Sequence, residues 1–225
     1  MTDNSNLGHR KRLRDKLANS GAGALHDYEI LELLLTYAIP RVDVKPLAKA
    51  LLKKFGNFAN VINASTVDLT SIPGIKENAA GLIKAVKASM TAALEATVAE
   101  TNVIANWNDL LSYARLNIAG AEVEEFHALY LNTKCHLIKD DLHSSGTVNK
   151  SSAFPREIVK RALELGATGV ILAHNHPSGD VSPSRADIEI TETIATALKT
   201  VDITLFDHII VSRTAANSMK SMGLL

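Results

Sequence analysis

The chain has 225 residues, of which 46% are hydrophobic and 21% charged, and its 24 Lys and Arg balance its 24 Asp and Glu. This is the composition of an ordinary globular protein, and a zero net charge gives no bulk field that attracts nucleic acid or a membrane. The single cysteine, Cys135, excludes an internal disulfide and a multi-cysteine zinc cage. No apolar stretch approaches the roughly 20 residues that span a bilayer, and the basic N-terminus lacks the apolar core of a signal peptide. We therefore expect a cytoplasmic protein with no membrane partner.

The first hundred residues are predicted to be helical. Apolar residues at helical spacing indicate one helix that begins at Asp27, a candidate N-cap, and another that ends at Gly56. Two further helical patterns follow and are separated by Pro73-Gly74. Because nothing in this half alternates with a period of two, we expect a small all-α domain over residues 1–100.

Helical and strand patterns alternate beyond a boundary at about residues 98–104. The predicted helices are NWNDLLSYARLNIAG, which ends at Gly120, FPREIVKRALELGA and SPSRADIEITETIATALKT. The predicted strands are EEFHALYLN, CHLIKDDLHSSGTVNK, TGVILAH and VDITLFDHIIVS. This alternation implies a sheet with helices packed on its faces, so we expect an α/β domain over residues 101–225.

Two histidines stand two positions apart where the third predicted strand ends. In an extended chain, residues i and i+2 point to the same face, so His174 and His176 aim at one place beside the sheet edge, where ligands of open α/β sheets bind. Two imidazoles suit a borderline metal such as zinc. Asp187 lies in the first turn of the next helix, and the loop between is long enough to return its carboxylate as a third ligand. Such a set leaves one position for water, whose pKa zinc lowers to about 7.

Simpler interpretations exist for parts of this stretch. Ser184-x-x-Asp187 also fits a capping box, in which both side chains satisfy amides at the start of a helix. The run from His174 to Gly179 could be no more than a polar turn. Neither interpretation explains paired histidines at the end of an apolar strand. Asn175 points away from the two imidazoles and is assigned no chemistry.

The same residues resemble a known family. The spacing His174-x-His176, seven residues, Ser184, two residues, Asp187 matches the JAMM (MPN-plus) metalloprotease signature at every fixed position. The segments FPREIVKRAL, ILAHNHPSGDVSPSRADIEIT and DHIIVS resemble the bacterial RadC family, in the RadC order and spacing. The resemblance covers the C-terminal half throughout and the helical half more loosely. It implies an α/β fold with a JAMM/MPN-type (cytidine-deaminase-like) sheet and flanking helices behind a small all-α domain, and one zinc ion per chain.

The resemblance also implies roles for further residues. JAMM enzymes use a glutamate from an earlier strand as general base, and EEFHALYLN aligns it with Glu124. Glu125 is the rival, which strand alternation puts on the opposite face. Ser184 is expected to stabilise the oxyanion, a contribution of about 3 kcal/mol. Asp207 and His208 match the family's Asp-His strand and either orient a metal ligand or form a satisfied polar pair.

The remaining histidines lack ligand-like spacing and are expected to be structural or exposed; they are His9, His26, His127, His136 and His143.

The segment from Leu69 to Ile83 resembles a helix-hairpin-helix element. Its Gly74 turn and the following helix start suit phosphate binding without sequence readout. Lys76 occupies the place of the usual second glycine; its ammonium group can contact phosphate, and the loss of glycine disfavours the tight hairpin. The plainer alternative is a helix pair that serves as scaffold. Residues 9–15 form a modest basic patch or, as we prefer, a solvated helix face.

The leading functional prediction is a zinc-dependent hydrolase that cleaves a peptide or isopeptide bond in a protein or peptide substrate. The alternative, which the RadC resemblance carries, is a DNA-associated repair or recombination factor that contacts nucleic acid through the helical domain. A catalytically silent interaction module is disfavoured by the intact ligand set. A zinc nucleobase deaminase is disfavoured because the chain lacks His-x-Glu with Pro-Cys-x-x-Cys.

Overall fold

The computed structural model describes residues 5–146 and 153–225 and is mixed α/β. A helical region precedes a five-stranded sheet that helices flank. Contacts divide the chain into two units, Met1–Ser89 and Met90–Leu225. The division falls inside one long helix, and Leu94 and Val98 near the end of that helix pack in the core of the second unit.

The first unit is built from helices, as predicted. They are α1 (Ser5–Ser20), α2 (Asp27–Ala38), α3 (Lys45–Phe55), α4 (Phe58–Asn63), α5 (Thr66–Thr70) and the start of α6 (Glu77–Glu100), with a short 3-10 helix over Ala22–Ala24. α2 begins at Asp27, but its N-cap is His26, so Asp27 is the first helical residue. α3 ends at Phe55, and Gly56 follows as its C-cap with a φ of 90°, which favours a residue without a Cβ.

The turn between α5 and α6 packs tightly against α3. Gly74 has a φ of 96°, and a Cβ at this position would lie 2.9 Å from Leu47 Cδ2. Both the backbone conformation and the close approach therefore require glycine. The unit also buries large apolar side chains completely; they include Leu31, Leu35, Leu51, Ile62, Leu69 and Ile83.

The second unit contains the sheet. Its elements after α6 are α7 (Trp107–Asn117), β1 (Glu125–Leu131), β2 (Leu137–Ser145), α8 (Ala153–Glu164), β3 (Gly169–Asn175), α9 (Arg185–Lys199), β4 (Thr204–Val211) and β5 (Ala216–Ser218). The strand order is β2-β1-β3-β4-β5, in which β3 and β4 are parallel and the other neighbours antiparallel. α7 ends at Asn117 rather than Gly120, and β5 was not predicted. Residues 147–150 of the second predicted strand lie outside the described residues.

Alternation along β1 and β3 builds a core on each face of the sheet. Phe126, Ala128 and Tyr130 join Val170 and Leu172 under α8 and α9. The odd-numbered neighbours on β1 and β3 pack on the opposite face with α7; they include Leu129, Leu131, Ile171 and Ala173. Each element thus buries one apolar face, which is the condition for a layered α/β domain.

The register of the sheet brings the start of β1 to the end of β3. Phe126 pairs with His174 at the last position of this antiparallel ladder. The parallel β3 and β4 also run to this end of the sheet, and α9 begins beside it after the loop that follows His176. Among the described helices, none combines the length and apolarity needed to cross a lipid bilayer.

Candidate metal centre

Four side chains converge at this end of the sheet. One ligand atom each from Glu124, His174, His176 and Asp187 lies within 4.8 Å of the others. They come from the residue before β1, the end of β3, the loop after β3 and the first turn of α9. His174 and Asp187 are buried, whereas Glu124 and His176 are partly exposed. The four residues that the sequence assigned to ligation and general-base chemistry therefore stand together, with two of them open to solvent.

The distances among the three predicted ligands match a metal site. His174 Nε2 and His176 Nε2 are 2.9 Å apart. The Asp187 carboxylate places Oδ1 at 3.6 Å from His174 Nε2 and Oδ2 at 3.7 Å from His176 Nε2. Metal–ligand bonds of about 2.0–2.1 Å in a tetrahedral arrangement put neighbouring donor atoms about 3.3 Å apart. The observed separations bracket this value.

The tautomer of His176 follows from its second ring nitrogen. His176 Nδ1 lies 2.6 Å from the carbonyl oxygen of Asp180. A carbonyl only accepts, so Nδ1 carries the proton and donates it. The lone pair of neutral His176 is consequently on Nε2, the nitrogen that faces His174.

The tautomer of His174 follows from a buried chain of three hydrogen bonds. Thr191 donates its hydroxyl proton to the carbonyl of Asp187 at 2.5 Å. Because that proton is used, the hydroxyl oxygen accepts from His208 Nδ1 at 2.6 Å. His208 Nε2 then accepts from His174 Nδ1 at 2.8 Å, which leaves the lone pair of His174 on Nε2.

The centre therefore brings together like, electron-rich atoms. In the tautomers that these bonds favour, the lone pairs of the two Nε2 atoms face each other at 2.9 Å, and the Asp187 carboxylate, which is 1% exposed, stands beside both. Lone pairs at this separation repel each other, and a buried carboxylate requires a compensating charge. A divalent cation held by His174, His176 and Asp187 satisfies both requirements, so the residues present fit a metal ion.

The capping-box interpretation of Ser184 and Asp187 also describes the structure. Ser184 is the N-cap of α9, and its Oγ accepts from the Asp187 amide at 3.2 Å. Its own amide and hydroxyl donate to Asp187 Oδ2 at 2.8 and 2.6 Å. The cap holds the carboxylate in the orientation in which it faces the two imidazoles, so capping and ligand placement are served by one arrangement.

Strand alternation separates the two candidate bases. Glu124 lies on the same face as Phe126, whose ring stacks on His174 with centroids 6.1 Å apart. Glu125 lies on the opposite face, with its carboxylate 3.6 Å from His127 Nε2. Glu124 is therefore the glutamate beside the candidate metal ligands.

Asp207 and His208, which are adjacent on β4, also make their contacts in different places. His208 contacts the candidate ligand His174. Asp207 instead ties β4 to β5 and to the chain beyond it, because its carboxylate accepts from the Ser218 hydroxyl and, at 3.0 Å, from the Lys220 amide. Of the predicted pair, only His208 is in a position to orient a metal ligand.

The opposite face of the sheet carries a second buried polar cluster. Asp140 accepts from His127 Nδ1 at 2.8 Å, from the Tyr113 hydroxyl at 2.8 Å and from the Asn117 amide at 2.9 Å. Burial acts to lower the pKa of His127, but the hydrogen bond and charge of Asp140, with the charge of Glu125, raise it above its ordinary value. Burial, followed by the Asp140 charge, raises the pKa of Tyr113. This cluster joins α7, β1 and β2, which agrees with a structural role for His127.

The residues proposed for phosphate contact belong to the first unit. Gly74 is explained by its backbone conformation and its approach to Leu47. Lys76 is exposed, and its carbonyl accepts from the amides of Ala79 and Ala80 in the first turn of α6.

Comparison with known proteins identifies the family. The model of the RadC-like JAB domain matches residues 104–224, more than half of the chain. The chain belongs to this family. The RadC-like domain is preceded by a match to the UPF0758 N-terminal family over residues 5–81. The UPF0758 protein SPO0054 of Ruegeria pomeroyi is 43% identical over 217 residues, which cover 96% of this chain and 97% of the relative. The mixed α/β fold, with its sheet flanked by helices, agrees with a JAB/MPN-type domain.

Three contributors to this RadC-like centre were missed from the sequence. Thr191 anchors His208, and the Asp180 carbonyl fixes the tautomer of His176. Asn175, which was assigned no chemistry, bonds through its side chain to the backbone on both sides of Glu124. Thr191 stands four residues after Asp187, a spacing at which a threonine hydroxyl can reach the earlier carbonyl, so this signal was present in the sequence.

Proposed function

We propose that the protein is a zinc-dependent hydrolase that resembles JAMM metalloproteases and cleaves a peptide or isopeptide bond with a metal-activated water. The observation that carries the proposal is the convergence of the Glu124 and Asp187 carboxylates with ring nitrogens of His174 and His176. Two imidazoles and one carboxylate are a ligand set that catalytic zinc sites use, with a further position left for water.

The ligands' chemistry favours zinc over harder cations. Two neutral imidazoles suit zinc, whereas magnesium and calcium prefer oxygen ligands. When bound, zinc would supply Lewis acidity and lower the pKa of a coordinated water to about 7. His174, held by His208, and His176, held by the Asp180 carbonyl, would keep their Nε2 lone pairs directed at the ion.

In this proposal Glu124 transfers the proton and Ser184 stabilises the oxyanion. The Glu124 carboxylate accepts the proton of the attacking water and delivers it to the leaving amine nitrogen, the task of a general base that later acts as acid. The Ser184 hydroxyl now donates to Asp187 Oδ2 at 2.6 Å, and its proton can rotate toward the developing oxyanion of the substrate. Ser184 is exposed and His176 is 17% exposed, so a polypeptide can approach from this side.

The test is hydrolysis of a panel of peptides and isopeptides by the zinc-loaded full chain, Glu124→Gln and Glu125→Gln. We expect hydrolysis to fall by about 10²–10⁴ in Glu124→Gln, the usual contribution of a general base, while its zinc content stays equal to that of the wild type. Glu125→Gln is the matched control, because it makes the same chemical change one residue away on the opposite face of the sheet. Wild-type rates in Glu124→Gln, or equal losses in both variants, would contradict the proposal.

A second candidate is nucleic-acid contact through the first unit, as expected for a DNA-associated repair or recombination factor. The observation that favours it is the charge of residues 1–89, which hold 13 Lys and Arg against 8 Asp and Glu. Such an excess attracts phosphate in a salt-dependent way. Lys76 is exposed beside the Gly74 turn and is the residue we expect to touch phosphate.

Binding of the full chain to duplex DNA over a range of salt concentrations tests this candidate. Lys76→Glu should weaken binding and reduce the slope of log affinity against log salt by about one. Lys199→Glu makes the same charge change on an exposed residue of α9 and should leave the slope unchanged. Salt-independent binding, or equal effects of the two variants, would exclude contact at Lys76.

A further inference from the structure

The backbone pairing of β1 and β3 ends just before the metal ligands. Phe126 and His174 form the last pair of the ladder, so Glu124 and Glu125 lie beyond it. At this point the side chain of Asn175 makes the hydrogen bonds to the backbone that a neighbouring strand would otherwise make. Its Oδ1 accepts from the Glu125 amide at 2.7 Å, and its Nδ2 donates to the carbonyl of Val123 at 3.0 Å.

These bonds bracket Glu124 along the chain. One is made by the residue before it and the other by the residue after it, while the Glu124 carbonyl itself accepts from the Gly146 amide at 2.8 Å. Three consecutive residues are thus fixed by hydrogen bonds from β3 on one side and from the end of β2 on the other. A third, longer hydrogen bond of 3.4 Å from Asn175 Nδ2 to the Ala121 carbonyl holds the backbone two residues before Val123 as well.

Asn175 also stands between the two histidine ligands. Strand alternation sends the imidazole of His174 to one face of the sheet and the Asn175 side chain to the other, where it is fully buried. A displacement of β3 would therefore move the ligands and the backbone of Glu124 together. The site needs such coupling, because a shift of about 1 Å between reacting groups can cost 10²-fold in rate.

We propose that Asn175 is a positioning residue that sets the distance between the Glu124 carboxylate and the metal ligands through the backbone on either side of Glu124. The proposal rests on the role of Glu124 in the proposed function. The side-chain amide suits this position because it offers an acceptor to the Glu125 amide and, from the same planar group, a donor to the Val123 carbonyl. An aspartate of the same shape keeps only the acceptor, and an alanine keeps neither.

The experiment compares Asn175→Ala and Asn175→Asp with the full-length wild type. The control is Asn117→Ala. It removes another side-chain amide, which donates a hydrogen bond to Asp140 on the same face of the sheet but away from Glu124. Three quantities are measured for each: the exchange rate of the Glu125 amide by NMR, zinc affinity by chelator competition, and the position of the Glu124 carboxylate in crystals grown with zinc. For any hydrolysed peptide, kcat and KM are determined separately.

In Asn175→Ala we expect the Glu125 amide to exchange about tenfold faster relative to the Ala128 amide of the same strand, since one hydrogen bond is lost. In Asn175→Asp this amide stays protected, because the acceptor remains, while the Val123 bond is lost. Both variants should displace the Glu124 carboxylate and lower kcat by about 10–100-fold with KM unchanged. Zinc affinity should stay within about threefold of the wild type, and Asn117→Ala should change none of these quantities beyond that factor.

Unchanged Glu125 exchange in Asn175→Ala, or a Glu124 carboxylate that stays in place in both variants, would overturn the proposal. A kcat loss that Asn117→Ala reproduces would also overturn it, because the effect would then be general destabilisation. If the zinc-loaded wild type hydrolyses no peptide, the proposed function fails. The exchange rates and carboxylate positions then still decide whether Asn175 holds Glu124.

Discussion

His208 offers a sharp test of how the protein presents His174 to a metal. His208 is fully buried, lies 34 residues from His174 and accepts its Nδ1 proton at 2.8 Å. His208→Leu fills much of the same space but removes the acceptor, so the His174 ring can rotate and its proton can move to Nε2. A proton on Nε2 would occupy the lone pair that the metal needs.

The loss of one such orienting partner typically weakens metal binding by about 10–100-fold, which corresponds to roughly 1.4–2.8 kcal/mol. Thr191→Val removes the hydroxyl that anchors the far side of His208 and should have a smaller effect in the same direction, because His208 itself remains. Zinc affinity is measured at neutral pH by competition with a chromophoric chelator, with folding checked by circular dichroism.

Asp207→Asn provides the control. Asparagine keeps an oxygen that accepts from the His208 and Lys220 amides and loses only the acceptor of the Ser218 hydroxyl, so the variant should reduce stability while leaving zinc affinity within about threefold of the wild type. The reasoning is refuted if folded His208→Leu binds zinc as tightly as the wild type, or if Asp207→Asn weakens binding to the same extent.

Three further predictions concern the fold and the opening turn of α9. The raised pKa of His127 means that its charge stabilises the fold below the ordinary histidine pKa of about 6.5 and that this contribution is lost as pH rises through the folded value. His127→Gln should therefore cost about 1.5–3 kcal/mol at pH 6 and less at pH 9 in urea unfolding, and a cost that grows with pH would contradict the assignment. Gly169→Ala should cost about 1–3 kcal/mol, because its Cβ would lie 2.3 Å from Phe206 Cε2. Gly81→Ala, whose Cβ would meet no described atom within 4 Å, should not destabilise the protein, and equal melting temperatures for both variants would refute the clash. Ser184→Ala should lose about 1 kcal/mol of capping and 10²–10³ in hydrolysis, whereas Ser184→Thr should retain most of both, and full activity in Ser184→Ala would remove its oxyanion role.

The sequence predicted the main elements of the second unit because their periodicity is strong. Alternation and apolar runs identified four of the five strands in the described part of the chain, and the spacing of His174, His176 and Asp187 identified residues that the fold brings together. Local rules suffice here, since a strand end, a loop and a helix start are consecutive in the chain. α4 and β5 were missed because six and three residues are too few to show a period.

The contacts that hold the candidate site residues in place could not be predicted, because they join residues that are far apart in the chain. The Asn175 side chain contacts the backbone of a residue 50 positions earlier, and His208 on β4 contacts His174 on the neighbouring β3. Such pairs depend on the register of β1, β3 and β4, which cannot be read from a single sequence. The packing of α6 was equally out of reach: it is one continuous helix, and only the structure shows that Leu94 and Val98 in its last turns pack with the second core.

The most direct test of the account is the metal content of the purified full chain. After equilibration with zinc and removal of excess metal, we predict one zinc ion per wild-type chain and a large loss in His176→Ala. His143→Ala, which removes a histidine bonded to Tyr130 on another part of the sheet, should keep its zinc. Equal zinc in the wild type and folded His176→Ala, or no zinc in the wild type, would contradict the central claim that this strand end and helix start together hold a metal ion.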